Sequence, residues 1–411
     1  MPGGDVLVVA TLDTKGAEAA YLCERIADRG SAPVLIDAGV LGTADGVAPA
    51  VTRHEVARAS GHTLEEVIAT GSRGSAVELM MEGLRAIVPE LTARRSFVGA
   101  CGIGGAEGAL LAATALRALP FGIPKVVLSP ILSGVREFAP FVGADDMVLV
   151  HSVVDLQGLN SYTRAMLDLT ARLACVGSVA PQRRRNGVPR VGMSLNGNTT
   201  TVGTQIREAL ERRGCEVVAF HSNGVGGVAM ERLAQSGGLD FVIDLTTNEL
   251  VEEVVTGLFP VRDRLRIAAN VPRVVVAGCL DFVCQPGVDR IDPRFRDRPR
   301  DLHNPEITLV RVSREEAARI AGELVERLAA SDAPVRLIVP TGGLSLGGSP
   351  GGSFHDAEAD AAFAVAVAEV AGGRLEVELV DAAINDDALA TAVVEAFDAI
   401  AAFERPGVSV P

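Results

Sequence analysis

Tryptophan is absent from this chain of 411 residues, and aromatic residues make up only 4% of it, although 48% of the residues are hydrophobic. The cores therefore have to be filled by Ala, Val, Leu and Ile, which suits buried parallel strands and alanine-rich helices. The length exceeds that of one ordinary core, so we expect two domains of about 200 residues each.

Positive charge is also scarce, because the formal net charge is −14. Nucleic-acid binding needs clustered Lys and Arg to neutralise phosphates, so no nucleic-acid partner is expected. The one short basic run, QRRRNGVPR at 182–190, is interpreted as a solvated linker.

Sequence patterns for metals, disulfide frameworks and membrane spans are missing too. The six cysteines form no CxxC pair, and the six histidines never fall at i, i+4 or beside a cysteine pair, which argues against a zinc site. No window reaches about 18 consecutive apolar residues, and the amino terminus does not have the pattern of a signal peptide. We therefore expect a reduced, cytoplasmic protein without a membrane partner.

Strand and helix patterns alternate along both halves of the chain. Val6–Leu12 has the length of a strand, and helical spacing from Gly16 to Arg29 ends at Gly30. In the second half, RVVVAGCLDFV (273–283) is interpreted as one strand, and Ser313 with Glu316 fits a capping box. This alternation predicts an α/β protein of two Rossmann-like, doubly wound domains with mainly parallel sheets, 1–181 and 189–411.

Four polar residues follow the first predicted strand in close succession: Thr11, Asp13, Thr14 and Lys15. Ligands of open parallel sheets bind beyond the carboxyl ends of the strands, and a phosphate at a helix start meets free N–H groups and the positive end of the helix dipole. Lys15 would add charge, the hydroxyls would donate to phosphate oxygens, and Asp13 could hold Mg²⁺ or a ribose hydroxyl. The alternative is simple helix capping with a solvated Lys15, which explains only one of the four.

A glycine-rich loop follows the strand SFVGA, and it would let a ligand approach the backbone closely. Its spacing is not GxGxxG, and the chain contains no GxxxxGK[ST], so a plain tight turn is the alternative. Glu107 lies in the loop and would repel phosphate. Asp37 ends the second strand as a candidate acceptor for ribose hydroxyls, and Ser129 ends a later one. The glycines are Gly102, Gly104, Gly105 and Gly108.

The second half places another set of polar residues beside apolar runs, which indicates a second polar crevice. His221 is a candidate general base near neutral pH, and Asp381 is a second candidate catalytic residue. A loop histidine that satisfies backbone groups is the alternative for His221. The other members of this crevice are Asn198, Asn223, Gly226, Gly227, Thr246, Thr247, Asp281 and Asn385.

The stretches TLDTKG, RGSAV, GIGGAEG, FHSNGVGGVAME and DLTTNEL resemble motifs of the Tm-one-like ATP-binding family, whose bacterial members are similar to the amino-terminal region of a plant tobamovirus-resistance protein. The resemblance runs from about Val6 to Phe403. It implies two Rossmann-like subdomains, binding of ATP and Mg²⁺ in the first, and dimerisation, so we expect a homodimer or higher homo-oligomer. The residues that match the family's first motif are Thr11, Asp13, Thr14 and Lys15.

Two motifs depart from the family pattern. Relatives often have GGSGGT where this chain has GGAEGA at 104–109, and HIND where it has Ala383 in AIND. We predict an ATP-binding protein, with a Mg-ATP-dependent reaction on a small polar metabolite in a crevice between the domains as its activity. The alternatives are a non-catalytic module that responds to nucleotide, and a sugar- or carboxylate-converting enzyme without ATP that uses His221 and Asp381.

Overall fold

The structure is a computed structural model, and it describes residues 3–42, 47–133, 139–177, 187–258 and 262–404. The chain divides into two compact units, Met1–Arg183 and Arg184–Pro411. Each unit is built on a parallel sheet with helices on both faces, which confirms the predicted fold class. Most of the predicted linker, 181–189, lies outside the described residues.

The amino-terminal unit has a five-stranded parallel sheet in the order β2-β1-β3-β4-β5. Its strands are β1 (Asp5–Ala10), β2 (Ala32–Asp37), β3 (Phe97–Ile103), β4 (Lys125–Ser129) and β5 (Met147–His151). Its helices are α1 (Leu12–Ala27), α2 (Arg53–Ala59), α3 (Leu64–Ala69), α4 (Arg73–Arg94), α5 (Ala106–Arg117), α6 (Ala139–Val142) and α7 (Ser161–Ala174).

The direction of winding in this sheet reverses between β1 and β3. From β1 the chain first runs to β2 on one side and then returns to β3 on the other side of β1. Helices α1 and α7 pack on one face of the sheet, whereas α2, α4 and α5 pack on the opposite face. A crevice therefore opens beyond the carboxyl ends of β1 and β3, which is where ligands of doubly wound sheets bind.

The carboxyl-terminal unit has a six-stranded parallel sheet in the order β14-β13-β9-β8-β6-β7 and a separate antiparallel sheet in the order β10-β12-β11. The strands are β6 (Arg190–Leu195), β7 (Glu216–His221), β8 (Phe241–Asp244), β9 (Arg273–Val276), β10 (Phe282–Pro286), β11 (Arg300–Asn304), β12 (Ile307–Arg311), β13 (Val335–Pro340) and β14 (Glu376–Val380). The helices are α8 (Thr200–Arg212), α9 (Gly226–Gln235), α10 (Asn248–Val251), α11 (Arg314–Ala329), α12 (Ala357–Ala371) and α13 (Asp387–Glu404), with 3₁₀ turns at Gly197–Thr199, Val288–Arg290 and Pro293–Phe295 and a π-helical turn at Glu252–Thr256.

The antiparallel sheet corrects the prediction of one strand over 273–283. Strand β9 ends at Val276, and β10 begins at Phe282 in the other sheet. Between them Cys279 has φ 61°, a left-handed conformation that turns the chain out of the parallel sheet. An apolar run alone does not distinguish one long strand from two short ones.

The predicted helix ends and caps agree with the structure, except at the start of α1. Gly30 has φ 80°, and Ser313 and Glu316 form the predicted capping box. Helix α1, however, begins at Leu12 rather than at Gly16, so Asp13, Thr14 and Lys15 lie in its first turn. The backbone at Lys15 departs from helical values, with φ −127° and ψ 25°.

All six cysteines are free thiols. Over the described ranges, no helix combines the length and the apolarity that crossing a membrane requires.

Candidate functional site

The first polar cluster and the glycine loop meet at the crevice between β1 and β3. Thr11 is the N-cap of α1, and Gly105 is the N-cap of α5. A Cβ atom on Gly108, in the first turn of α5, would lie 3.6 Å from Oγ1 of Thr11. Two helix N-termini from neighbouring strands therefore lie side by side, and each offers backbone N–H groups and a positive dipole end to an anion.

Helix capping does not account for the hydroxyl of Thr11. Its side chain accepts no capping hydrogen bond, although it occupies the N-cap position. The N–H of Leu12 donates instead to Oδ1 of Asp37, at 3.1 Å. Oγ1 of Thr11 lies 3.1 Å from Oγ1 of Thr14, so the two hydroxyls form a pair at the start of the helix.

Asp13 and Lys15 keep binding capacity that their neighbours do not use. Oδ2 of Asp13 accepts a hydrogen bond from the N–H of Leu41 at 3.1 Å, whereas its buried Oδ1 has no partner within the described ranges. The side chain of Lys15 is half-buried and forms no ion pair with any described residue. One carboxylate oxygen and one ammonium group are thus available at this helix start.

Asp37 is already engaged by the protein itself. Its carboxylate is 1% exposed, and Oδ1 accepts hydrogen bonds from the N–H groups of Leu12 and Gly39. Oδ2 accepts a 2.7 Å hydrogen bond from Nε of Arg53, which is buried as well. Asp37 thereby joins β2 to the starts of α1 and α2. The geometry favours a positioning role for Asp37 over contact with a ribose.

The predicted loop glycines divide into two groups. A Cβ atom on Gly102 would overlap Ala112, and one on Gly104 would overlap the backbone at Gly108, so both are needed for close packing of α5 on β3. Gly105 has open space around it. Ser129 is fully buried, and its hydroxyl accepts a 3.4 Å hydrogen bond from Ile131. Gly105 and Gly108 remain candidates for ligand contact.

The charge of Glu107 is partly balanced by Arg73. The two side chains form an ion pair of 3.4 Å, with Arg73 at the start of α4. Arg73 is exposed and Glu107 is partly exposed, so the pair contributes only about 0–1 kcal/mol to stability. Site prediction missed Arg73, although it begins the RGSAV motif. It places a guanidinium beside the loop that carries Glu107.

Among the residues that the structure describes, Asp13 offers a metal one unpartnered carboxylate oxygen at this crevice. In the part of the chain that the structure describes, no group of three or more His, Cys, Asp or Glu side chains could hold a metal ion. Mg²⁺ usually keeps several waters and binds through one or two carboxylates together with substrate phosphates. The unpartnered Oδ1 of Asp13 fits a metal of that kind.

In the carboxyl-terminal unit, the predicted catalytic residues His221 and Asp381 do not form a pair. His221 ends β7 and Asp381 follows β14, and these are the two opposite edge strands of the six-stranded sheet. Five spacings of about 4.8 Å put them roughly 24 Å apart. Both side chains are exposed. The structure therefore does not bring these two predicted residues together in one site.

The glycine loop before α9 surrounds a carboxylate of the protein. Gly227 donates a 3.1 Å hydrogen bond to Oε2 of Glu249, and Gly224 donates a 2.9 Å hydrogen bond to Oε1. A Cβ atom on Gly226 would overlap the backbone of His221, and one on Gly227 would overlap Glu249. Gly226 and Gly227 thus pack against the protein, and Glu249 occupies the place that a bound anion would take.

Three further members of the predicted second crevice are engaged in internal hydrogen bonds. Oγ1 of Thr246 lies 2.7 Å from Oγ1 of Thr199, and Thr247 donates to the carbonyls of Val276 and Gly278. Asn385 accepts from the N–H of Val202 and donates to the carbonyl of Asn198. Thr246, Thr247 and Asn385 hold the loops in place and do not line the pocket described next.

Asn198, Asn223 and His221 do meet at a pocket of about 120 Å³. Its polar wall also contains Asn196, Ser222, Asn248 and His303. Its apolar wall is formed by Phe282, Cys284, Ile307 and Leu309. Sequence patterns missed this apolar wall because it belongs to β10 and β12, in the antiparallel sheet that was not predicted.

A buried ionic cluster surrounds Arg264, which no motif indicated. Its guanidinium is completely buried and pairs with Asp244 at 2.7 Å, with Glu249 at 2.7 Å and with Glu231. Burial alone would lower the pKa of Arg264, but Asp244, Glu231 and Glu249 outweigh burial and raise it well above its ordinary value. The cluster ties together α9, β8 and α10.

Asp281 is a second buried carboxylate, and it is only partly satisfied. Oδ2 accepts a 2.7 Å hydrogen bond from Ser345 and lies 3.6 Å from Arg311. Oδ1 is buried without a partner among the described residues. Burial raises the pKa of Asp281 to about 6, and Arg311 offsets only part of that effect.

The raised pKa predicts a pH-dependent stability that Asp281→Asn should remove. Because the folded pKa of about 6 exceeds the ordinary 3.8, the contribution of Asp281 is favourable at low pH and is lost as pH rises through 6. Between about pH 4 and pH 7 the free energy of unfolding of the wild type should fall by roughly 2–3 kcal/mol relative to that of Asp281→Asn. Urea unfolding across this range measures the difference. The exposed Asp289→Asn variant is the control, and wild-type and Asp281→Asn curves that run parallel would contradict the prediction.

Comparison with known proteins places both units in one family. Residues 4–184 match the N-terminal domain and residues 188–401 the C-terminal domain of the uncharacterised protein family UPF0261. A UPF0261 protein of Clostridium tetani is 34% identical over 397 residues, which cover 95% of this chain and 97% of that protein. The ToMV resistance protein Tm-1(GCR237) of Solanum lycopersicum is 33% identical over 354 residues, covering 82% of this chain and 46% of the tomato protein.

Among solved structures, this chain is similar to the UDP-GlcNAc 2-epimerase of Methanocaldococcus jannaschii, with 10% identity and a TM-score of 0.23. The match covers 66% of this chain and 83% of the epimerase chain. The sequence matches are far stronger and extend over both units. They confirm the resemblance that the motifs indicated, and the chain belongs to the UPF0261 family, which is related to the tomato Tm-1 proteins.

Proposed function

We propose that this protein binds ATP or a related nucleotide in its amino-terminal unit, at the crevice between β1 and β3. The observation that carries the proposal is the meeting of two helix N-termini without side-chain caps at the point where the winding of the sheet reverses. Sheets with this strand order bind nucleotide-type ligands at that point. The resemblance to a Tm-one-like ATP-binding family supports the same assignment.

The phosphates would lie between Thr11 and Gly105. The donors there are the backbone N–H groups at the two helix starts, the paired hydroxyls of Thr11 and Thr14, and the ammonium of Lys15. Asp13, through its unpartnered Oδ1, would hold Mg²⁺ jointly with phosphate oxygens and water. Mg²⁺ would offset the phosphate charge, and Lys15 would contribute the remaining attraction.

Lysine-directed labelling tests this placement at one residue. Lys15 and Lys125 are the only lysines of the sequence. Lys125 is 1% exposed and is paired with Asp146 and the carbonyl of Pro120. An ATP analogue with a reactive acyl phosphate should therefore acylate Lys15 and spare Lys125, and excess Mg-ATP should protect Lys15. Peptide mass spectrometry locates the acyl group.

Thermal and chemical unfolding provide the matching affinity measurement. With ATP at about 100 times its Kd, binding to the native state alone should add about 2.7 kcal/mol to the free energy of unfolding. Lys15→Ala should lose most of this gain, and Lys15→Arg should retain much of it while losing the label. The proposal fails if millimolar Mg-ATP produces neither stabilisation nor protection of Lys15.

The same samples distinguish an enzyme from a nucleotide-responsive module. Each sample is incubated with ATP and a panel of small, polar metabolites. Release of ADP with any of them would indicate an ATP-consuming enzyme. Binding without turnover across such a panel would favour the module. His221→Ala should leave nucleotide binding unchanged, because His221 belongs to the other unit.

A further inference from the structure

The pocket of the carboxyl-terminal unit has its own recognition chemistry, independent of the nucleotide site. Its described lining contains no Lys, Arg, Asp or Glu side chain. Two asparagines of its polar wall, Asn198 and Asn248, are 9% and 1% exposed. Buried carboxamides need hydrogen-bond partners on both of their atoms, so the atoms that the protein leaves unpaired indicate what a ligand must supply.

The orientation of Asn198 is fixed by a backbone donor. Its Oδ1 accepts a hydrogen bond from the N–H of Leu346 at 3.3 Å. The backbone carbonyl of Asn198 accepts a 2.7 Å hydrogen bond from the side chain of Asn385. A backbone N–H can only donate, so the oxygen of this carboxamide must face Leu346. Nδ2 of Asn198 has no partner among the described residues, and it presents a donor to the pocket.

The orientation of Asn248 follows from the single proton of Ser222. Oγ of Ser222 lies 2.9 Å from the carbonyl oxygen of Thr246 and 3.0 Å from Oδ1 of Asn248, so its one proton faces two acceptors. The carbonyl can only accept, so it takes the proton of Ser222. A half-turn of the Asn248 carboxamide, which exchanges its oxygen and its nitrogen, replaces the second acceptor with a donor and satisfies both contacts of Ser222. This leaves the oxygen of Asn248 facing the pocket as an acceptor.

We infer that this pocket binds an uncharged, planar molecule with a carbonyl and an N–H on one edge, that is, a carboxamide or a lactam ring. The donor of Asn198 matches the ligand carbonyl, and the acceptor of Asn248 matches the ligand N–H. Phe282 and Leu309 offer an apolar surface to the flat face of the ligand. A volume of about 120 Å³ suits one ring, since pockets for drug-sized ligands span about 300–1,000 Å³.

Nicotinamide and nicotinate test the inference, because they share the same ring. Nicotinamide carries a carboxamide where nicotinate carries a carboxylate. Ligand-observed NMR should show that wild-type protein binds nicotinamide at least roughly tenfold more tightly than nicotinate, since nicotinate lacks the N–H and meets the oxygen of Asn248 with a negative charge. Asn198→Asp, which exchanges the donor for an acceptor of the same shape, should reduce nicotinamide binding by about tenfold.

Ser222→Ala tests the positioning role of the hydroxyl. Without Ser222, the carboxamide of Asn248 can turn its nitrogen toward the pocket, so the preference for nicotinamide over nicotinate should shrink while the fold persists. Asn160→Asp is the matched control, because Asn160 is an N-cap in the other unit and Asp caps equally well. Equal or tighter binding of nicotinate by the wild type, or no binding of nicotinamide at millimolar concentration, would overturn the inference.

Discussion

Arg264→Met is expected to lower the free energy of unfolding of the carboxyl-terminal unit by about 3–5 kcal/mol. The substitution keeps a long apolar side chain but removes the only cation that directly pairs with Asp244, Glu231 and Glu249 among the described residues. Each of these three side chains is 1% exposed or less. Removing one partner of a buried ion cluster leaves uncompensated charge, which costs far more than an exposed ion pair contributes.

The matched control is Arg290→Met, which removes an exposed pair with Glu306. Its effect should stay within about 1 kcal/mol. Urea unfolding monitored by circular dichroism at neutral pH measures both variants. The loss in Arg264→Met should shrink at acidic pH, because burial raises the pKa of Glu231 and protonation relieves the repulsion. Equal losses in the two variants would show that the cluster around Arg264 does not stabilise the fold.

Asp37→Asn is expected to destabilise the amino-terminal unit by about 3 kcal/mol. The oxygen of an asparagine could still accept from Leu12 and Gly39, but its nitrogen would face Nε of Arg53, and the buried guanidinium would lose its counter-charge. Asp5→Asn is the control, because Asp5 pairs with Arg95 at a more exposed site. Unfolding without any nucleotide measures the effect.

The same variant separates two roles for Asp37. If Asp37 positions the start of α1, stability falls without ligand, and nucleotide affinity falls with it because Thr11 and Lys15 move. If Asp37 contacts a ribose, as strand-terminal acids do in related folds, stability without ligand stays close to wild type and only affinity is lost. The three hydrogen bonds that Asp37 already accepts favour the first outcome.

The fold class and the first polar cluster could be predicted because they depend on neighbours along the chain. Apolar runs, helical spacing and terminal glycines are local signals, and the end of a parallel strand lies at the ligand-binding edge wherever the strand is placed. Thr11 and Lys15 were therefore found without knowledge of strand order. The residue patterns alone left two interpretations of this cluster open, phosphate binding and simple helix capping. The resemblance to a known family favoured the binding of a nucleotide.

Tertiary structure decided which polar residues remain free, because their partners are far away in sequence. Asn385 lies 187 residues from Asn198, and Thr246 pairs with a hydroxyl 47 residues before it. Strand order alone separates His221 from Asp381, and a turn at Cys279 creates the sheet that completes the second pocket. Sequence by itself determined the α/β fold and where polar side chains gather. Only the packed structure determined whether each one meets its own protein or a ligand, since a hydrogen bond depends on distance in space and not on order along the chain.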